Sequence, residues 1–154
     1  LLHVKVDYLA AGSERKILDL SREEQNLNFK SFEKPLTQLE LDKARKSVRD
    51  VHMSEQVEEY LVQIVLATRN SDKYGGDLNN WLEYGASPRA TIALDVCSKA
   101  LAWLNNKDFV SPDDIRSVAH DILRHRIILS FEAEANGVSS DQVIDELLRV
   151  VPSA

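Results

Sequence analysis

Gly85-Ala86-Ser87-Pro88-Arg89-Ala90 is the stretch on which the reading of this chain turns. It opens a helix. Ser87 is a cap residue, and Pro88 suits the first helical position, where the N–H it lacks is not needed. Gly85 allows a tight turn before them. The residues that follow, from Ala90 through Ile92, Leu94, Val96, Cys97 and Leu101 to Trp103 and Leu104, are apolar on so many sides that the helix is expected at the centre of its domain. Arg89 stands out in the first turn, where the helix dipole favours anions over cations. Two readings are open for it. It pairs with a nearby carboxylate, or it is a candidate contact to a phosphate approaching the helix start.

Outward from that helix the pattern repeats. Ser111-Pro112-Asp113-Asp114 has the same cap, first-position proline and acidic first turn, and Ile115, Val118, Ala119, Ile122 and Leu123 line one face after it. Upstream, Ser54 caps a helix whose inward positions are Val57, Tyr60, Leu61, Ile64, Val65 and Thr68, closed by Arg69. Thr37-Gln38-Leu39-Glu40 has capping-box spacing, and the narrow stripe of Leu41, Ala44 and Val48 marks a peripheral helix. Ser13 caps a short helix through about Gln25, and Asn26 to Pro35 reads as a linker. Residues 70–84, rich in Asn, Asp and Gly, read as a long loop pinned by Trp81 and Leu82. Ile127-Ile128-Leu129 is ambiguous between a strand-like segment and a buried turn. Glu132 to Asn136 reads as helix stopped by Gly137. Ser139 or Ser140 starts a final helix with Val143, Ile144, Leu147 and Leu148 inward. The expected fold class is all-α, a helical bundle.

Residues 1–8 break that pattern. Val4, Val6 and Tyr8 alternate with His3, Lys5 and Asp7, as in a half-buried strand, and no clear second strand follows. An orphan N-terminal β-strand would leave its backbone unpaired, so the chain reads as a piece of a larger α/β protein, cut at the last strand of a sheet.

The totals narrow the function classes. The chain has 154 residues, 44% hydrophobic and 29% charged, with a net charge of −6. That charge argues against a broad nucleic-acid face. Cys97, the one cysteine, reads as a core residue, and a single thiol fits a reducing, cytoplasmic setting. No apolar run approaches the roughly 20 residues of a membrane span. His3, His52, His120 and His125 show no paired ligand spacing, so no metal site is expected. There is no Gly-x-x-x-x-Gly-Lys-Ser/Thr loop and no anchor for nucleophilic or carboxylate-pair catalysis. Arg124-His125-Arg126 is a compact basic cluster. Either it complements its helix end, or one arginine reaches a neighbouring domain or subunit.

These motifs together resemble a known family. Gly85-Ala86-Ser87-Pro88-Arg89-Ala90 is similar to the sensor-2 motif of MoxR-type AAA+ ATPases. Val51-His52-Met53-Ser54 to Ala67-Thr68-Arg69 resembles the helix before that motif. Asp108-Phe109-Val110-Ser111-Pro112-Asp113-Asp114-Ile115, Leu123-Arg124-His125-Arg126 and Phe131-Glu132-Ala133-Glu134-Ala135 to Gly137-Val138 resemble the segments after it, in the same order. The resemblance runs from about residue 36 to 152 and is looser over residues 10–35. Residues 1–8 resemble the last strand of the ATPase core.

The resemblance implies three parts: residues 1–9 as the end of the core, 10–35 as a linker with a short helix, and 36–154 as a helical lid. It implies that Arg89 senses the phosphates of a bound nucleotide, with Ser87, Pro88 and Ala90 forming the helix start that holds it. ATP and Mg²⁺ would then belong to the parent protein, with no catalytic residue in this piece and none of the phosphate-binding loop, acidic Mg²⁺ site, sensor 1 or arginine finger. The implied partners are the lid's own ATPase core, neighbouring subunits of a ring, typically a hexamer, and an unidentified client that the ring remodels or matures in a chaperone-like way. The contrasting expectation is a self-standing helical interaction module with no role at a nucleotide.

Overall fold

A computed structural model describes residues 1–6, 8–25 and 35–153. The chain divides into two units: Leu1–Val4 with Ala44–Ala154, and Lys5–Lys43. In the second unit, α1 spans Ala11–Gln25. It begins two residues before the expected Ser13 cap, and the Ser13 N–H already donates to the Ala10 carbonyl at 2.8 Å. Ile17, Leu18 and Leu20 are exposed on α1. The linker expected at Asn26 to Pro35 falls, apart from Pro35, outside the described residues. Helix α2, Gln38–Asp50, starts as anticipated: the Thr37 N–H donates to Glu40 Oε2 at 2.8 Å, and the Glu40 N–H donates to Thr37 Oγ1 at 3.3 Å. It buries no residue, in keeping with a peripheral helix.

The larger unit is built on α3 (Glu55–Ala67), α5 (Pro88–Leu104), α6 (Pro112–Leu123) and α8 (Ser140–Val150). The inward faces read from periodicity are the buried faces. Val57, Tyr60, Leu61, Ile64 and Val65 of α3 meet Leu94 of α5, Ile115, Ile122 and Leu123 of α6, and Ile144 and Leu147 of α8 in one core. Each such side chain contributes about 1.5–3 kcal/mol by leaving water. Helix α5 packs on α6 and α3, and α6 also packs on α8. Cys97 sits in that core, and burial pushes its thiol above the ordinary value, so it stays a packing residue.

Helix α5 is central but not buried all round. Ala90, Ala93, Leu94, Cys97, Ser98 and Ala102 face inward, while Ile92, Val96, Trp103 and Leu104 are exposed. Small residues recur on the inward side, which lets the neighbouring helices approach closely and leaves the bulkier apolar residues outside.

Residues 70–84 are more ordered than a loop reading implies. A 3₁₀ turn covers Ser71–Lys73, α4 covers Leu78–Trp81 and β1 covers Leu82–Tyr84. Leu78 is fully buried, and Trp81 and Leu82 pack against the core as expected. Gly75 and Gly76 turn the chain with φ of +73° and +70°, a region that other residues enter at a cost. Strand β1 pairs antiparallel with β2, Ile128–Leu129, which resolves the ambiguous run as a strand. Helix α7, Phe131–Ala135, follows, and the chain turns at Gly137.

The N-terminal strand is not formed: the described residues among 1–8 adopt neither strand nor helix, and Asp7 lies outside the description. Val4, Val6 and Tyr8 are exposed, so their alternation buries nothing. A strand needs a neighbour to pair its backbone, and none runs beside this segment among the described residues. The His3 N–H instead donates to the Asp121 carbonyl at the end of α6, at 2.8 Å.

Candidate functional site

The start of α5 is held from behind. The Ala86 N–H donates to Thr68 Oγ1 at 2.9 Å, and Arg69 Nε donates to the Ala86 carbonyl at 2.6 Å. Thr68 and Arg69 are the two residues that follow α3, so the end of one helix grips the entry to another. Gly85 is needed for that approach. A Cβ there would overlap the Thr68 carbonyl oxygen and lie 2.6 Å from its carbon. Gly85 is not among the residues with positive φ, so closeness, and not a left-handed turn, is what requires glycine.

Ser87 occupies the cap position, with φ −73° and ψ 168°, and Pro88 is at the first helical turn. The expected side-chain cap is absent: the Ser87 side chain makes no capping bond. The Ala90 N–H, one of its natural targets, is taken by the Ser87 carbonyl at 2.8 Å. Ala90 is fully buried, while Ser87, Pro88 and Arg89 are exposed. The Arg89 guanidinium has no ion pair or hydrogen bond among the described residues. The carboxylate partner that one reading of Arg89 requires is therefore not found among them. What this arrangement offers is one exposed cation on a fixed helix start. It fits a contact to one phosphate group and not a whole nucleotide, whose other phosphates would need donors from elsewhere.

The second basic cluster is occupied. Arg124 donates from Nε to Asp141 Oδ1 at 2.7 Å and from Nη1 to Asp121 Oδ1 at 3.0 Å. Those carboxylates hold its charge firmly, raising its pKa chiefly through the Asp141 and Asp121 hydrogen bonds. The same Nη1 reaches the His3 carbonyl at 3.3 Å, and Arg126 Nη2 reaches the Leu1 carbonyl at 3.1 Å. The His3 and His125 rings meet edge to face, 5.2 Å apart. Arg126 also donates to the Ile122 carbonyl, as a cation closing a helix would. Thus the cluster satisfies its own helix end, as one expectation had it, and its remaining reach is spent on residues 1–3 of the same unit, not on a neighbouring domain or subunit. Periodicity carries no sign of this clasp, because its acceptors are backbone carbonyls more than a hundred residues away.

A buried carboxylate anchors the neighbouring helix. Asp114 accepts from the Ser111 N–H at 2.9 Å, the Ser111 hydroxyl at 2.6 Å and Lys107 Nζ at 2.9 Å. Burial alone would push its carboxyl up, but the Ser111 and Lys107 contacts outweigh burial and hold it below the usual range. Among the described residues no three His, Cys, Asp or Glu side chains converge in a way that could hold a metal ion. No described helix is long and apolar enough to cross a membrane.

Residues 79–147 match the family model described as the AAA lid domain. Over 94 residues the chain is 37% identical to chaperone MoxR1 of Mycobacterium tuberculosis, covering 60% of this chain and 25% of that protein. It is 28% identical over 151 residues to protein YeaC of Bacillus subtilis, covering 98% of this chain and 44% of that one. A solved structure of a candidate ATPase from Cytophaga hutchinsonii superposes with a TM-score of 0.88 at 39% identity, over 99% of this chain and 46% of that chain. The chain therefore spans less than half the length of these relatives.

Proposed function

Since the chain carries an AAA lid domain related to the MoxR-family chaperone ATPases, we propose that it is the nucleotide-sensing lid of such an ATPase. In this reading Arg89 contacts the phosphates of ATP held by the ATPase core, and Ser87, Pro88 and Ala90 form the start of α5 that carries it. The observation behind the reading is the Arg89 side chain: exposed, without a partner among the described residues, and mounted on a start gripped by Thr68 and Arg69. A cation kept unpaired at a helix start is suited to a transient anion.

The mechanism follows from charge. ATP with Mg²⁺, bound in the core, supplies the phosphoryl chemistry. This chain contributes one guanidinium whose attraction to the terminal phosphate draws the lid toward the nucleotide. When hydrolysis removes that charge, the attraction falls and the lid is released. Its movement would be passed to neighbouring subunits of a ring, hexameric by the family's habit, and so to the remodelling of a client protein.

ATP turnover by the full-length parent protein, with and without Arg89→Ala, tests this. Loss of one charge-assisted phosphate contact, about 1.5–3 kcal/mol, corresponds to roughly tenfold to a hundredfold in rate or affinity. Unchanged kinetics would remove Arg89 from the nucleotide and leave a helical interaction module as the better description.

A further inference from the structure

We propose that Thr68 and Arg69 are positioning residues for Arg89, gripping Ala86 through both of its backbone polar groups and so setting the direction in which α5 carries the guanidinium. The inference rests on the reading of Arg89 as a phosphate contact.

The geometry of the grip has a defined polarity. Thr68 Oγ1 spends its one proton on the Val65 carbonyl, at 2.7 Å, and so presents only lone pairs to the Ala86 N–H at 2.9 Å. Arg69 Nε closes on the Ala86 carbonyl at 2.6 Å. Both Thr68 and Ala86 are buried, where water cannot replace a lost bond. The Gly85 contact with the Thr68 carbonyl removes the remaining slack on the N-terminal side.

Between Ala86 and Arg89 there are few soft torsions. Pro88 locks its own φ near −65° and restricts Ser87 to extended backbone, where it is found at ψ 168°. An error in the direction of Ala86 therefore passes into the first turn of α5 undamped. Ser87 cannot correct it, because its side chain makes no cap. A helix-end cation that merely complemented α3 would not need a carbonyl seventeen positions ahead, and Arg69 has one. Sites that bind through a single cation depend on how that cation is held, since a misplaced guanidinium loses its hydrogen-bond geometry before its charge.

The test uses the 154-residue chain, ¹⁵N-labelled, with inorganic triphosphate as the probe. Three variants are compared with the parent: Thr68→Val, which keeps the shape and deletes the acceptor; Thr68→Ser, which restores it; and Arg69→Gln, an exposed position whose change leaves the core intact. Amide residual dipolar couplings of Ser87, Arg89 and Ala90 without ligand report the direction of the helix start. The triphosphate-dependent shift at Arg89 reports the contact. Expected are altered couplings in Thr68→Val and Arg69→Gln, recovery in Thr68→Ser, and triphosphate binding at Arg89 weakened roughly tenfold in the first two, as a partial loss of a charge-assisted bond implies. Couplings unchanged in both deletion variants would overturn the inference, and so would altered couplings with unaltered triphosphate affinity. No saturable shift at Arg89 in the unsubstituted chain, with couplings still dependent on Thr68, would leave the grip standing, and the phosphate reading then stands or falls with the ATP turnover of the full-length Arg89→Ala protein.

Discussion

Arg124 Nε donates to Asp141 Oδ1 at 2.7 Å, and this bond ties the residue ending α6 to the first turn of α8. The other arm of the same guanidinium takes Asp121 and the His3 carbonyl. One side chain thus joins two helices and the N-terminal residues, and Arg126 holds the Leu1 carbonyl beside it.

Replacing both arginines, Arg124→Gln with Arg126→Gln, should release residues 1–3 while the bundle stays folded. The His3 N–H, bonded to Asp121 at 2.8 Å, is the reporter. Its hydrogen-exchange protection should fall to that of an open amide. Protection retained in the double variant would show that the clasp does not depend on the guanidinium groups. The Arg124 pairs with Asp121 and Asp141 are partly buried and contribute about 1 kcal/mol each, so global stability should fall modestly without loss of the fold.

Acid should loosen the same corner first. Burial, then the charges of Arg126, the His3 ring and Arg124, push His125 below its ordinary value of 6.5. Asp121 and Asp141 face Arg124 and offset part of that positive field. Because the folded value is depressed, the unfolded chain takes up a proton before the folded one does. The stabilisation is present above 6.5 and is lost as pH falls below it. Asp114 is also depressed, so its contribution persists to lower pH and is lost only as pH falls below its ordinary 3.8. Denaturant midpoints followed against pH should show the first decline near the histidine range and a second at carboxylate pH. His125→Asn should abolish only the first.

Gly85→Ala should destabilise by about 1–3 kcal/mol, the usual penalty for forcing atoms into filled space. The atoms in the way are the Thr68 backbone, which cannot swing aside as a flexible side chain could. A lower urea midpoint at unchanged slope is the expected result. A midpoint equal to that of the parent would mean that the Gly85–Thr68 approach is looser in solution.

Leu78→Ala should cost about 2–5 kcal/mol, as for other fully buried leucines. The residue lies in a polar, glycine-containing stretch, where a loop would tolerate the change within about 0.5 kcal/mol. Urea unfolding of the variant separates an anchored segment from a mobile one.

The local grammar of this chain was legible without any structure. The capping box at Thr37–Glu40 joins residues three apart, and the proline starts at Pro88 and Pro112 act on their own turns. The inward faces of α3, α6 and α8 follow from a 3.6-residue period, because a helix must bury its apolar stripe. The order of those motifs also sufficed to recognise the lid. Tertiary structure decided whatever depends on atoms distant in sequence. The pairing of Leu82 with Leu129 turned part of a polar stretch into a strand, and burial of Leu78 anchored it. The described residues among 1–8 have no strand partner among the described residues, so their alternation built nothing, and Arg124 and Arg126 took the His3 and Leu1 carbonyls instead. Ser87, a good cap by type, makes no side-chain cap, and the Ala90 N–H bonds the Ser87 carbonyl. Thr68 and Arg69, ordinary residues at a helix end, became the holders of Ala86. Residue type and spacing state which bonds a side chain is able to make; only packing decides which partner arrives within 3 Å of it.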